Sequence, residues 1–414
     1  MELQKSDPQV YNLYLKEKER QETSLEMIPS ENHCSPAVRD ALGSILTDKY
    51  AEGYPGKRYY AGLKYYDELE TLCQERAKKI FKVPHVNVQP YSGSPANQAV
   101  YMAVCNPGDA ITGMALPMGG HLTHGWKVNF SAKFFNSVQY GVDEKTNLIN
   151  YAEVEKIVQQ ARPKLMWVGA TAYPRIFDWE KLAKIADSVG TYLAADIAHI
   201  AGLVVSGAHP SPVPFVHIVT TTTHKTLRGP RGALIMVTEK GLKKDPELPQ
   251  KIDKAVFPGL QGGPHMNTIA AISVCLKEAA TPAFKKYGHQ IVRNAKALAE
   301  ELKKLGFRLI TGGTDNHLIL VDLRNKNISG PDAQIRLEAA GITINKNTIP
   351  FDPNPPFKPS GIRMGTPAIT TRGMKEKEMK KIAGWINEVI SNEKSIKRVR
   401  EEIRKFCKKF PLPQ

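Results

Sequence analysis

Two charged residues, Asp196 and Lys225, each stand at the end of an apolar run. The β-branched run 216–223 predicts a strand that leads to Lys225, and the apolar run 233–237 predicts a second buried strand after a turn. The run 192–196 predicts another strand, which ends in Asp196. A lysine shielded from water has a lowered pKa, and its neutral amine is able to attack an aldehyde and form a Schiff base.

The pairing of these two residues points to one cofactor, pyridoxal phosphate (PLP). PLP needs a lysine for its aldehyde and a carboxylate for its pyridine nitrogen, and the protonated ring then accepts electrons from a carbanion. Lys225 follows Asp196 by 29 residues, which is enough for one crossover and a return strand. A single lysine beside a turn is usually solvated, so the interpretation depends on Asp196.

Longer blocks around these residues resemble the serine hydroxymethyltransferase family from end to end. The matching blocks are 28–32, 49–60, 92–94, 119–124, 192–199, 219–232, 257–264 and 360–366. The resemblance implies an α/β protein of PLP-dependent transferase fold type I, like aspartate aminotransferase. Its large domain would have a mostly parallel seven-stranded sheet, followed by a smaller C-terminal α+β domain. It also implies PLP held as an aldimine on Lys225, tetrahydrofolate as co-substrate, and a homodimer with shared active sites.

The resemblance assigns site roles to the residues that match the family's motifs. The implied residues are Lys225, Glu52, Asp196, His224 and Tyr59 for catalysis; Tyr50, Ser92, Gly93, Ser94, His121, Thr171, Asp196, His199, His224, Lys225, Gly262 and Gly263 for the cofactor; Ser30, Glu52, Tyr60 and Arg363 for the amino acid; and Leu116, Gly120, His121, Leu122, Asn347, Pro355, Pro356 and Phe357 for folate. The family often has a histidine where this chain has Met118. In this reading Tyr50, Glu52, Tyr59 and Tyr60 serve the partner's site, as do Gly262 and Gly263.

Three of these positions also carry a local argument. Ser94 followed by Pro95 predicts a helix N-cap, and a helix N-terminus after a strand suits an anion such as phosphate. Arg363 between two glycines is a candidate carboxylate clamp, because its planar fork matches two oxygens. His121 and His124 are possible metal ligands. The sequence has no acidic residue or cysteine at ligand spacing from them, so we predict no metal.

The wider pattern predicts how the chain is divided. We expect an N-terminal helical arm over 1–26, a large PLP-binding domain over 27–280 and a small C-terminal domain over 281–414. Strands and helices alternate in the large domain, which favours a parallel, doubly wound sheet with its site at the carboxyl ends of the strands. The segment 49–66 is dense in tyrosine, glycine and charge, so we expect an ordered loop at an interface.

Composition excludes several other classes of protein. The chain has 414 residues and no apolar run near the ~20 residues that a membrane span needs. Its N-terminus lacks a signal-peptide core, and its five cysteines are widely spaced, so we expect a cytoplasmic protein without disulfides. The net charge of +16 suggests a basic surface first, steering of anionic substrates second and nucleic-acid binding last.

Two alternative functions stay open at this point. A folate-independent aldolase of the same fold, which cleaves β-hydroxy amino acids such as threonine, would use the same lysine, aspartate and arginine. A basic binding protein that has lost catalysis is a second alternative, although the set Asp196, Lys225 and Arg363 is intact.

Overall fold

The computed structural model describes residues 2–413, and its strands build one large sheet and three small ones. The strands are β1 Leu25–Glu26, β2 Gly53–Tyr54, β3 Lys57–Arg58, β4 His85–Asn87, β5 Ala110–Thr112, β6 Asn136–Ser137, β7 Leu165–Val168, β8 Tyr192–Asp196, β9 Ile218–Thr222, β10 Ala233–Val237, β11 Arg308–Leu309, β12 Leu318–Asp322, β13 Ile342–Thr343, β14 Asn345–Asn347 and β15 Gly361–Gly365.

Helices connect and cover these strands. They are α1 Glu2–Ser6, α2 Pro8–Thr23, α3 Pro36–Leu42, α4 Lys64–Phe81, α5 Gly93–Val104, α6 Phe130–Phe134, α7 Tyr151–Ala161, α8 Trp179–Ser188, α9 Ala201–Ser206, α10 Glu239–Lys244, α11 Leu248–Lys254, α12 Met266–Ala279, α13 Pro282–Lys304, α14 Gly330–Ala339, α15 Pro367–Thr371, α16 Glu376–Ser391 and α17 Ile396–Cys407. Among the described helices, none combines the length and the apolar character needed to cross a bilayer.

The large sheet has seven strands in the order β4-β10-β9-β8-β7-β5-β6. Five neighbouring strands, from β9 to β6, run parallel, while β10 runs antiparallel to both of its neighbours. This confirms the predicted fold class of an α/β protein with a mostly parallel seven-stranded sheet. The reversed strand β10 follows from the short turn after Lys225, which is too short for a crossover helix.

Side chains that alternate along the central strands fill a core on each face of this sheet. Met166 and Val168 belong to one buried cluster, whereas Leu165 and Trp167 belong to the cluster on the other face. A strand covered on both faces consists of apolar residues throughout, which explains why the sequence shows continuous apolar runs here.

A second core forms around the antiparallel sheet β11-β12-β15-β14. Helix α13 serves both cores, because Phe284 and Ile291 pack in the first core while Leu298 and Leu302 pack in the second. Thr281 caps this helix by accepting the N–H of Phe284. The domain boundaries proposed from the sequence stay a prediction.

The N-terminal segment differs from the helical arm expected over 1–26. Asp7 caps α2, with its carboxylate accepting from the N–H groups of Gln9 and Val10. The helix ends at Thr23, however, because Leu25 and Glu26 pair in parallel with β13. Leu25 and Met27 are fully buried in the second core.

One arginine ties this segment to the end of the chain. The Arg372 guanidinium donates only to backbone carbonyl oxygens, which are those of Gln21, Glu22, Ser24, Cys407 and Phe410. These acceptors lie at the ends of α2 and α17, so the second core holds both ends of the described chain.

Candidate active site

Lys225 lies in the turn between β9 and the reversed strand β10. Thr223 and Gly232 close the base of this turn through a backbone hydrogen bond of 3.1 Å, and the Lys225 carbonyl accepts from the Arg228 N–H at 3.0 Å. The side-chain amide of Asn32 donates to the same carbonyl at 2.9 Å. Burial lowers the pKa of the Lys225 amine to about 8, although Asp196 acts in the opposite direction. A neutral amine is therefore accessible near neutral pH.

Asp196 ends the neighbouring strand β8, and N–H donors hold its carboxylate in place. Its Oδ2 accepts from Asn97 Nδ2 at 2.9 Å and lies 3.2 Å from His124 Nε2, while Oδ1 accepts from the Ala198 N–H at 3.0 Å. Burial alone would raise the pKa of this carboxyl, but the hydrogen bond and charge of His124 outweigh burial and hold the pKa well below its usual range. Asp196 is thus an anion in a partly buried setting, as a partner for a pyridinium nitrogen must be.

The same geometry corrects one statement made from the sequence about metal ligands. Asp196 does accompany His121 and His124, and the ligand atoms of the three residues lie within 4.8 Å of one another. Both Asp196 oxygens already accept N–H donors, which is the arrangement of a hydrogen-bonded carboxylate. The sequence could not reveal this cluster, because Asp196 follows His124 by 72 residues.

Lys225 and Asp196 both line one cavity of about 230 Å³. The residues around it are Ser92, Gly93, Ser94, His121, His124, Ala170, Thr171, Asp196, Ala198, His199, Thr222, His224, Lys225 and Arg231. Nine of the twelve predicted cofactor residues are in this set; Tyr50, Gly262 and Gly263 are not. The sheet explains the gathering, because β7, β8 and β9 end at this edge.

One end of the cavity offers donors for an anion. Helix α5 begins at Gly93 with Ser92 as N-cap, so the expected cap at Ser94 was wrong and Ser94 lies in the first helical turn. The Ser92 hydroxyl makes no capping hydrogen bond, which leaves it and the helix N–H groups available. A Cβ on Gly93 would come 2.8 Å from the Thr222 methyl group, so only glycine fits here.

Orphaned polar atoms in the cavity wall support the fit of PLP. Thr222 Oγ1 and His224 Nδ1 are buried without a hydrogen-bond partner among the described residues, and Arg231 lines the same cavity. Buried polar atoms of this kind need a partner, and a phosphate next to a helix N-terminus would supply acceptors for them. The lysine, the buried carboxylate and these donors together match the chemical groups of PLP.

The predicted cofactor residue His121 is held by its own turn. Its Nδ1 lies 2.8 Å from Thr123 Oγ1, and burial lowers the pKa of the His121 ring to about 4. The preceding Gly120 allows a close passage of the chain, because a Cβ there would lie 1.9 Å from the Met114 carbonyl oxygen. A neutral, half-buried imidazole at the cavity wall is suited to stack on an aromatic ring.

Arg363 lies on β15, outside the set that lines the cavity. Its Nη1 donates to the Thr171 carbonyl and its Nε donates to Asn345 Oδ1 at 3.1 Å, and burial lowers the pKa of the guanidinium to about 10. Ser30 is also outside the lining, but the Gly365 N–H donates to the Met27 carbonyl and fixes the segment before Ser30 against the same strand. The two predicted carboxylate ligands therefore approach the cavity from the second core.

The residues expected to serve a partner subunit form a separate group. Tyr50 and Tyr60 pack with ring centroids 5.3 Å apart, and a Cβ on Gly262 would lie 3.2 Å from Glu52 Oε1. Tyr59 is 74% exposed in the single chain, and its ring packs on Phe257. The segment is not wholly irregular, since it contains the short hairpin of β2 and β3. Whether it faces a partner stays a prediction.

The predicted folate residues lie in two separate regions of the chain, one beside His121 and the other around the loop before β15. Leu116 and Leu122 belong to short 3₁₀ turns beside His121, whereas Phe357 belongs to the proline-rich loop before β15 and is 76% exposed. Asn347 is half-buried on β14, and Pro355 and Pro356 are exposed. Only His121 of this group lines the cavity described above.

Several residues at the site were missed in the sequence. Asn97, His124, Thr222 and Arg231 contact Asp196 or line the cavity, and His317 lies 3.2 Å from His199. Asn97 offered a faint signal, a polar side chain among the alanines and valines of an otherwise apolar helix face. His317 offered only its place before an apolar strand.

Residues 3–386 match the sequence family described as serine hydroxymethyltransferase.

Proposed function

The chain belongs to the serine hydroxymethyltransferase family, and from this premise we propose that it interconverts serine and glycine with tetrahydrofolate as the one-carbon acceptor. The family establishes a PLP-dependent glycine hydroxymethyltransferase of one-carbon metabolism. The finer proposal is the reversible reaction of serine and tetrahydrofolate to glycine and 5,10-methylenetetrahydrofolate. The observation that carries it is the presence of Lys225 and Asp196 in the wall of one cavity.

The residues of the cavity divide the work of binding the cofactor. Lys225 presents a buried amine of lowered pKa, which is the form that bonds to the cofactor aldehyde. Asp196 would keep the pyridine nitrogen protonated, and His121 would stack on the ring. Ser92, Gly93 and Ser94 offer the helix N-terminus for phosphate. When bound there, PLP supplies the electron sink for cleavage of the serine Cα–Cβ bond.

A second group of residues orients the amino acid and moves protons. Arg363, with Ser30 beside its strand, would bind the substrate carboxylate. Its buried guanidinium hydrogen-bonds only neutral oxygens among the described residues, so an anion would gain much from it. Glu52 would transfer a proton at the hydroxymethyl carbon or the folate. Thr171 and His199 would meet the phenolic oxygen of the ring, and His224 would tune the choice of substrate.

The proposal includes a homodimer that completes each site. Tyr50, Glu52 and Gly263 cluster in one chain but do not line its cavity, which supports a role in the cavity of a partner. Folate would lie between the turns that contain Leu116, Gly120 and Leu122 and the loop with Asn347 and Phe357. A cytoplasmic location stays a prediction from the sequence.

Glycine formation from serine, measured with and without tetrahydrofolate, tests the proposal against a folate-independent aldolase. We expect formation of glycine to depend strongly on the folate, and we expect the Lys225→Ala variant to lose steady-state turnover. Cleavage of β-hydroxy amino acids at the same rate with and without folate would refute the hydroxymethyl transfer. A purified protein that stays colourless after PLP is added would favour the binding protein without catalysis.

A further inference from the structure

Three buried histidines form a row that starts at the cofactor cavity. His199 follows β8 and lines the cavity, and its Nδ1 lies 3.2 Å from Nε2 of His317, which precedes β12. The two rings are fully or nearly fully buried, with centroids 5.4 Å apart. A histidine of the second core thus contacts a cavity residue of the first.

A small cavity of about 10 Å³ is lined by His209 as well as by His199 and His317. His317 Nδ1 and His209 Nε2 are buried and have no hydrogen-bond partner among residues 2–413. The two side chains are 0% and 3% exposed, so bulk water does not reach these nitrogens. A cavity of this size holds about one water, and buried nitrogens of this kind are normally satisfied by such a water.

The proton position on one ring of this row, that of His209, follows from its partner. His209 Nδ1 lies 2.9 Å from the Pro210 carbonyl oxygen, which only accepts, so this nitrogen carries the hydrogen. Burial lowers the pKa of all three rings, that of His317 to about 3, and the charges of Lys225 and Arg363 lower the pKa of His199 and His317 further. Each ring is therefore neutral, and His209 Nε2 is a bare acceptor.

We propose that His317, with one buried water held between it and His209, is a positioning residue that makes His199 a hydrogen-bond donor towards the cofactor cavity. In this arrangement the water donates both to the bare Nε2 of His209 and to Nδ1 of His317. His317 then carries its hydrogen on Nε2 and donates it to His199 Nδ1, which leaves the His199 hydrogen on Nε2. Two proton arrangements are possible for the pair of His199 and His317. Only this one places an N–H on His199 that can donate to an acceptor in the cavity.

The inference rests on the proposed function, because the acceptor that His199 would meet is the phenolic oxygen of PLP. A donor at that oxygen strengthens cofactor binding, whereas a bare nitrogen facing it would repel the oxygen lone pairs. The second histidine acts through the first in the way that an outer partner fixes the tautomer of a metal-bound histidine.

Replacing His317 by glutamine or by leucine separates positioning from packing. The His317→Gln variant keeps an N–H donor near the Nε2 position, whereas His317→Leu keeps volume without a donor. Titration of the cofactor-free protein with PLP, followed by absorbance, should show roughly tenfold weaker binding for the leucine variant, the loss expected for one hydrogen bond. The glutamine variant should remain within about threefold of wild type, since its donor is retained.

His217→Gln serves as a matched control, because His217 is also buried but lines neither cavity. Equal PLP affinity of the two His317 variants would overturn the positioning role while leaving the proposed function intact. A wild-type protein that fails to bind PLP would overturn the proposed function and this inference with it.

The buried water has its own test in high-resolution crystal structures. Wild type should show one water within hydrogen-bonding distance of both His209 Nε2 and His317 Nδ1. His209→Asn keeps a donor for the Pro210 carbonyl but removes the second acceptor, so the water peak should weaken or disappear. A wild-type cavity without electron density for a water would contradict the inference.

Discussion

Replacing Lys225 by methionine should stabilise the cofactor-free protein at neutral pH. The folded chain lowers the pKa of this amine to about 8, mainly through burial, whereas an unfolded chain keeps a lysine pKa of ~10.4. Below pH 8 the amine is protonated in both states, so folding must bury a positive charge. The difference between the two pKa values corresponds to a cost of roughly 3 kcal/mol, which a neutral methionine of similar length avoids.

The two pKa values also predict how this stabilisation changes with pH. Between pH 8 and ~10.4 the Lys225 amine is neutral in the folded protein but still mostly protonated in the unfolded chain. The free-energy cost of folding at this residue therefore falls as pH rises, and it disappears once the unfolded chain has also lost its proton. Urea unfolding of both cofactor-free proteins at one protein concentration should show Lys225→Met more stable at pH 7. Its advantage should shrink by most of the roughly 3 kcal/mol at pH 10.

Lys156→Met is the control for this experiment, because the Lys156 side chain is 62% exposed on α7. We expect the difference in unfolding free energy between Lys156→Met and wild type to stay nearly constant with pH. The reasoning about the buried amine would be refuted by a Lys225→Met variant that is less stable than wild type at pH 7, or by a difference that does not change with pH.

Four further changes test other parts of the site and the fold. Asp196→Asn should keep the fold, seen by circular dichroism, but lower kcat on the order of a hundredfold, because an amide cannot hold the pyridine nitrogen protonated. Arg363→Lys keeps the charge but loses the planar fork, so the KM for serine should rise roughly ten- to hundredfold; an unchanged KM would exclude the clamp. Mixing Glu52→Gln with Lys225→Ala chains should restore part of the activity if sites are shared, and no recovery would contradict sharing. Arg372→Met strands five carbonyl acceptors and should lower the free energy of unfolding by about 2–4 kcal/mol in guanidinium titrations; wild-type stability would show that water replaces those donors.

The sequence predicted the elements of the large sheet well because its strands are buried on both faces. Such strands are continuous apolar runs, and the runs ending at Asp196 and at Val237 have the observed bounds. The N-cap of α5 was misplaced by two residues, since Ser92 and Ser94 are both of a residue type that suits a cap.

Contacts between distant parts of the chain were beyond prediction from spacing. The pairing of His124 with Asp196, and of His199 with His317, depends on how the loops fold over the sheet edge. Likewise, the parallel pairing of β1 and β13 overrides the helical character of residues up to 26, and no local pattern in the sequence announces it.

The pairing of β1 with β13 also sets a delay during protein synthesis. Leu25 leaves the ribosome 317 residues before Ile342, its partner in the sheet. At a synthesis rate of ~5–20 residues per second the wait is roughly 15–60 s. During that time the apolar side chains of Leu25 and Met27 have no core to pack into. This short stretch of the nascent chain therefore needs protection by a chaperone.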